Sequence, residues 1–338
     1  MVAPTTYPSV KRFFGIAKEI TPGTPVAMTS TLLLDKLDWD DKPTWLKDKS
    51  LRGVMGDDSF AIIQGVKIGQ LDMGGPVYGD AIGWPLANAL GDLTVTGASA
   101  PYTNAFSLLN SGTGQPVTHT ITQYYGITPT SGSRQFSSSA FSEVAFKFNA
   151  ESELLSWTGK ATSWASNAAA ALPTAAPSTV LPIAGWRATA GIGGPATGGT
   201  QVLTVESFEA TIKRQVKPYF TAQSSQNPYI IQRGGVTFDG KMTFIAADET
   251  PFTNMINNSQ PQLQVVISNG GSGAGLVTVQ FDVQVCAFTQ AKANFGKEAV
   301  EWDVTFEGVF NTTNAGTSGG MSPVKITVTN AVASGTYL

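Results

Sequence analysis

The sequence predicts a mainly β chain, α+β in that each half carries one short flanking helix, built as two tandem β-sandwich or β-barrel units. Three observations predict it. Only 13% of the 338 residues are charged, against about 25% in an average soluble domain, and Gly, Ser, Thr, Asn and Gln fill the difference. With 42% hydrophobic and 10% aromatic residues, the chain has ample material for a core, which argues against disorder. Several segments alternate apolar and polar residues strictly, and fragments of the first half return in the second in the same order.

The echoed fragments give the order of elements. "GTPV" at 23–26 meets "GTQV" at 199–202, "DKPTWL" at 41–46 meets "VKPYFT" at 216–221, and "GVKIGQ" at 65–70 meets "GVTFDG" at 235–240. A short helix follows in each half. In 80–90, Asp80 is the expected N-cap, and Ile82, Leu86 and Leu90 recur at helical spacing. In 250–260, Thr250 is the expected N-cap, Pro251 takes the first helical position, and Phe252 and Ile256 share a face. "LTVT" at 93 then meets "LQVV" at 263, "VTHTITQYY" at 117 meets "VTVQFDVQV" at 277, and "VAFKF" at 144 meets "VEWDVTF" at 300. The spacing between partners narrows along the chain, as loop shortening would produce. The expected units are 1–165 and 199–338, joined by an Ala/Pro/Gly-rich linker at 166–198. The alternative is two unrelated β-rich halves.

The strands show one dry and one wet face. Val300, Trp302, Val304 and Phe306 oppose Glu301, Asp303, Thr305 and Glu307; Val277, Val279, Phe281, Val283 and Val285 oppose Thr278, Gln280, Asp282, Gln284 and Cys286; Val144, Phe146 and Phe148 oppose Lys147 and Asn149. Such sheets have edges, and unblunted edges recruit further strands. Half of the residues in 35–58 are charged, with both signs mixed. That stretch reads as a long solvated loop or hairpin able to meet a partner of mixed sign.

Little in the chain points to chemistry. The net charge of −3 argues against a DNA-gripping domain. No G-x-S-x-G, P-loop or G-x-G-x-x-G motif is present. The sole histidine, His119, lies in a Thr-rich stretch without a nucleophile motif and is expected half-exposed on a strand. The sole cysteine, Cys286, is expected as an inert thiol on a polar face. An EF-hand loop begun at Asp38 would put Lys42 and Pro43 where a ligand and the turn glycine belong. No catalytic residue, metal or cofactor is therefore expected. The start lacks an apolar signal core and no run is long enough to span a membrane, so neither a signal peptide nor stable membrane association is expected.

Two stretches, "GIAKEITPGTPVAMTSTLLLDKLDWDDKPTWLKDKSLRGVMG" (15–56) and "GPVYGDAIGWPLANALG" (75–91), resemble the tail tube (major tail) proteins of long-tailed, siphovirus-like bacteriophages, in their two-domain type. The resemblance implies a non-enzymatic virion protein, made in the host cytoplasm, that self-assembles into stacked rings around a conduit for DNA ejection. It implies a trimeric, pseudo-hexameric ring, or alternatively a hexameric one. The implied partners are the tape-measure protein, the tail terminator and the baseplate or distal tail proteins, with genomic DNA in transient, non-specific passage. A lumen for DNA should not bind it, so Asp282, Glu301, Asp303 and Glu307 are the expected lumen-facing residues, although Lys147 and Asn149 depart from an acidic lining. Asp38, Asp40, Asp41, Lys47, Asp48, Lys49, Arg52, Asp57 and Asp58 are the expected inter-ring or inter-subunit contact. Two other readings share the composition. One is a different self-assembling virion protein, of baseplate, decoration or fibre type. The other is a carbohydrate-binding module using Trp84, Trp157, Trp164 and Trp186, though core use is expected for most of these.

Overall fold

A computed structural model describes residues 9–338 apart from 51, 54, 56–58, 129–130, 169–177 and 297. The described chain is mainly β, with two short α-helices. After a 3-10 turn it forms β1 (Phe13–Lys18) and β2 (Ser30–Leu32). A long hairpin follows, of β3 (Lys36–Asp48) and β4 (Ala61–Pro76), then α1 (Gly83–Ala89). Next come β5 (Gly91–Thr96), β6 (Tyr102–Leu108), β7 (His119–Thr128), β8 (Ser131–Asn149) and β9 (Ser156–Ser163). β10 (Ala188–Ile192) and β11 (Gln201–Val202) lead into a second long hairpin, β12 (Val205–Tyr219) and β13 (Ile230–Ile245), followed by α2 (Thr250–Ile256). The chain ends with β14 (Leu263–Ser268), β15 (Thr278–Val283), β16 (Cys286–Asn294), β17 (Glu301–Gly308) and β18 (Lys325–Asn330).

The strands make two sheets, of eleven and seven strands, all paired antiparallel. In the larger sheet eight strands run as consecutive neighbours, β3-β4-β9-β8-β12-β13-β17-β16, while β7, β1 and β2 branch from the first part of β8. The smaller sheet has the order β11-β10-β14-β15-β18-β6-β5. Both halves of the chain thus contribute to both sheets, and β10 lies within the stretch read as linker. The core fills the space between the sheets. Phe146 and Phe208 reach across to Phe281 on the smaller sheet, with ring centroids 5.1 and 5.4 Å apart. Period-two alternation drives this arrangement: Phe208, Ala210 and Ile212 are buried while Glu209 and Lys213 are exposed. Each buried phenylalanine contributes about 1.5–3 kcal/mol by leaving water.

The two long hairpins correspond residue by residue. The register of β3 and β4 shifts between Pro43 and Trp45, opposite Lys67 and Gln64; that of β12 and β13 shifts between Arg214 and Val216, opposite Val236 and Arg233. A second shift recurs in the later hairpins, between Phe141 and Glu143 of β8 and between Phe288 and Gln290 of β16. These bulges fix Gln70 opposite Thr162 as the counterpart of Asp239 opposite Glu307. They also match Trp157 with Trp302, each set between its two neighbouring strands in the same way.

This register corrects the echoes read from the sequence. Lys67, not Val66, corresponds to Val236, so the Gly-Val match slips by one residue. The Lys-Pro pairs lie on opposite sides of their bulges. "VAFKF" belongs to β8, whose counterpart is β16, whereas "VEWDVTF" belongs to β17, whose counterpart is β9. β7 and the opening of β8 stand between β6 and the matched part of β8, whereas only Gln284 and Val285 separate β15 from β16. The spacing between counterparts therefore narrows through one insertion in the first half, rather than by gradual loop shortening.

Both helix starts and one strand face also differ from expectation. α1 begins after Ile82, and Asp80 does not cap it. Glu249 is the N-cap of α2, and the Thr250 N–H is met instead by the Asp248 carboxylate at 2.8 Å. The chain crosses from the smaller to the larger sheet at Gln284–Val285, which breaks the expected alternation and turns Cys286 into the core. Gly240 lets β12 and β13 close up: a Cβ there would overlap the Glu209 carbonyl and the Phe306 ring. Gly240→Ala is expected to cost about 1–3 kcal/mol through overpacking, read as a lowered thermal midpoint.

Candidate lumen surface and the joint between the halves

The face of the eight-strand run turned away from the core carries charge of both signs, alternating along two of its rows. Strand pairing sets Asp72, Lys160, Glu143 and Lys213 side by side across β4, β9, β8 and β12. A second row places Lys147, Glu209 and Lys241 across β8, β12 and β13. Several of these close as ion pairs: Lys160 to Glu143 at 2.9 Å, Lys213 to Asp239 at 2.8 Å, and Lys36 to both Asp38 and Asp72 at 3.1 Å. The hydrogen bond that Lys36 donates to Asp72 holds its ammonium above the usual range, and the bond to Glu143 does the same for Lys160. Each exposed pair contributes only about 0–1 kcal/mol. The consequence lies in the pattern, a polar face on which neither sign dominates.

The expected lumen residues divide. Asp303 and Glu307 are exposed on this face, Asp303 accepting a hydrogen bond from Thr243 at 3.3 Å. Glu301, at the start of the same strand, is buried. Asp282 lies on the other sheet, where its carboxylate accepts hydrogen bonds from Gln264 at 2.6 Å and Gln280 at 2.8 Å. The sequence reading missed Glu143, Glu209, Asp239, Lys213 and Lys241. Alternation within β8, β12 and β13 was the signal that could have found them.

The charged stretch is largely a strand and its hairpin connection. Asp38 and Asp40 sit on the wet face of β3. Asp41 points the other way and accepts hydrogen bonds from the Ser166 backbone and hydroxyl at 2.9 and 2.5 Å. Lys47 and Lys49 are exposed. Asp48 binds the Ser50 N–H at 2.9 Å and pairs with Arg52, whose guanidinium lies 5.0 Å from the Phe60 ring centroid. Asp57 and Asp58 lie outside the described residues. Of the four tryptophans weighed for sugar stacking, Trp84 and Trp157 are core, Trp164 is half-buried, and Trp186 is exposed beneath Arg187.

The halves meet where β8 pairs with β12, Glu143 opposite Lys213 through Asn149 opposite Ser207. Phe148 lies against Phe208, with tilted rings whose centroids are 5.7 Å apart, and is 1% exposed. Two arginines from the second half, one at each side of the β12–β13 bulge, close the C-terminal end of α1. Arg214 donates to the Ala89 carbonyl, and Arg233 to those of Asn88, Val117 and Pro116. Burial lowers their pKa values to about 10 and about 9, the latter also because Arg214 stands near Arg233. Both remain charged at neutral pH and satisfy helix-end carbonyls that would otherwise lack partners.

His119 is fully buried beneath α1, edge-on to Trp84 at 5.5 Å and 2.8 Å from the Asn88 amide nitrogen. This corrects the half-exposed expectation: the alternation placed it on a strand without revealing the helix above. Desolvation, then the nearby Arg233 charge, lowers its pKa to about 3. The unfolded chain therefore binds the proton more readily, so stability falls as pH drops below about 6.5, by up to 1.4 kcal/mol per pH unit. His119→Gln is expected to flatten that decline between pH 6.5 and 4.5, the window above most carboxylate titration, in urea unfolding followed at each pH.

Among the described residues no helix is long and apolar enough to cross a membrane. A search of curated proteins finds none that matches this chain. A profile described as phage tail tube protein matches residues 9–333, from the turn before β1 to just beyond β18, and so takes in both sheets and the joint between them. Given that span, the chain belongs to the phage tail tube protein family and is a structural protein of the virion tail.

Proposed function

We propose that this chain assembles into stacked rings of three, each chain supplying two fused tube units, and that the mixed-charge face of its eight-strand run lines the channel through which DNA leaves. The observation that carries this reading is the pair of corresponding hairpin sets lying side by side in one sheet, with matching bulges and, among the described residues, an open strand at each end. Strands continued end to end around three chains would exceed the roughly 16–18 strands at which a barrel already encloses an aqueous channel. Closure would also remove the exposed edges. Interleaved lysines and carboxylates suit a conduit, because a net basic lining would trap phosphates by counterion release. The proposed contacts of the tube ends are the tape-measure, terminator and distal tail proteins.

End-on electron micrographs of assembled tubes test the ring: threefold modulation of six lobes is expected, and true sixfold averages would overturn the three-chain arrangement. The lining is tested by Asp239→Asn, Asp303→Asn and Glu307→Gln together, which leave the lysines of this face in excess. Tubes of normal width are expected, with DNA ejection slowed about tenfold at low salt and recovering as salt rises. Unchanged ejection would count against this face as the lining.

A further inference from the structure

The joint inside the chain is a template for a joint that the chain leaves open. The same bulge correspondence that matches the hairpins makes β16 the counterpart of β8, and β3 the counterpart of β12. β8 and β12 pair with each other, whereas among the described residues β16 pairs only with β17 and β3 only with β4. Residues buried at the inner joint have exposed counterparts at the open end. Phe148, 1% exposed beside Phe208, corresponds to Phe295, which is 77% exposed one residue past β16. Ala89, the last residue of α1 and 1% exposed, corresponds to Ile256, the last of α2 and 64% exposed.

Resting on the ring reading above, we infer that β16 of one chain pairs antiparallel with β3 of a second copy, in the register copied from β8 and β12. Glu209 opposite Lys147 then becomes Asp38 opposite Asn294, Thr211 opposite Ala145 becomes Asp40 opposite Lys292, and Lys213 opposite Glu143 becomes Lys42 opposite Gln290. Phe295 is covered opposite Leu37, as Phe148 is opposite Phe208.

The chemistry of the two joints differs in one respect. Arg214 and Arg233 correspond to Pro43 and Gln64, so the seam between chains has no buried guanidinium closing the helix end. Instead the β3–β4 hairpin presents exposed Trp45 and Ile62 beside these positions, and α2 presents exposed Ile256. The inner joint is held by charged groups buried during folding. The outer seam is apolar on its inward side and carries the Asp40–Lys292 ion pair on its wet side. Each surface can remain in water until a second copy covers it, since no unpaired charge has to be buried first.

Asp38→Cys with Asn294→Cys tests the register, because side chains directly opposite on neighbouring strands lie within disulfide reach. Buried Cys286 is shielded from competing. In oxidised tubes, covalent links between chains are expected on non-reducing gels. The offset pair Asp38→Cys with Gln290→Cys should link at least about tenfold less. Normal tubes without the link, or equal linking by the offset pair, would overturn the seam and leave the tube reading standing. Failure of the unmodified protein to form tubes or rings with its tail partners would overturn both. Charge exchange gives a second readout: Asp40→Lys or Lys292→Asp alone should slow tube growth several-fold, and the two together should restore it. An equally slow double variant, with folding unchanged by thermal melting, would also overturn the register.

Discussion

Glu19→Ala is expected to destabilise the fold by about 3–5 kcal/mol, because it removes the shared acceptor of a buried polar cluster. One carboxylate oxygen accepts from the Gly23 N–H at 3.0 Å and the Thr118 hydroxyl at 2.6 Å; the other accepts from the Thr120 hydroxyl at 2.8 Å and the Ser138 N–H at 2.7 Å. Together these tie the segment after β1 to β7 and β8. Ser138 has a φ of 53°, in the left-handed region that non-glycine residues rarely adopt. Its bond to Glu19 offsets that strain. Glu19→Gln keeps one acceptor oxygen and should lose roughly half as much. Urea unfolding of the three proteins decides the matter; a loss below about 1 kcal/mol for the alanine variant would mean that water replaces the carboxylate.

Phe208→Ala is expected to cost a similar amount, about 3–5 kcal/mol, for a different reason. Its ring lies 5.7 Å from Phe148, 5.4 Å from Phe281 and 6.1 Å from Phe306. It therefore joins the first half to the second and the larger sheet to the smaller. The cavity should do more than lower the midpoint. With the β8–β12 joint loosened, the two halves should unfold in separate steps, so that tryptophan fluorescence and far-ultraviolet circular dichroism no longer coincide. Phe208→Leu leaves less empty volume and should cost under about 2 kcal/mol, with the two probes still coincident. Coincident transitions in the alanine variant would show that the halves are coupled mainly through other contacts.

Strand faces were readable because their determinants are local. The period-two rule put Phe146, Phe148, Val304 and Phe306 inward and Lys147, Asp303 and Glu307 outward, as the structure has them. Register was not readable, because a bulge is a property of two strands at once. Nothing in "DKPTWL" announces a shift at Pro43, so the Lys-Pro pairs were aligned across it. The path of the chain between sheets was hidden for a related reason. "VTVQFDVQVC" keeps its alternation through the point where the backbone turns at Gln284–Val285, and only the packed structure shows Cys286 facing the core. The burial of His119 and the roles of Arg214 and Arg233 were not readable because their partners are the end of α1 and the carbonyls beside it, up to 145 residues away. Family membership was legible from two diffuse segments, since the profile spans residues 9–333. The wet face was half legible: its acids in β17 were identified, but Lys160, Lys213 and Lys241, and the acids interleaved with them on β8, β12 and β13, were not.

In the proposed channel, those lysines change what a long polyanion would meet as it slid along the face. Along the row of Asp72, Lys160, Glu143 and Lys213, opposite charges on neighbouring strands alternate at about the 4.8 Å strand spacing. The fields of such a checkerboard cancel within roughly one repeat of the surface, well inside the Debye length of about 8 Å. A phosphate held off by its own hydration shell would therefore encounter neither wells deep enough to stop it nor barriers high enough to hold it back. Friction, in the electrostatic sense, is set by the graininess of a surface rather than by its total charge, and the paired ladder of Lys160, Glu143, Lys213 and Asp239 is fine-grained.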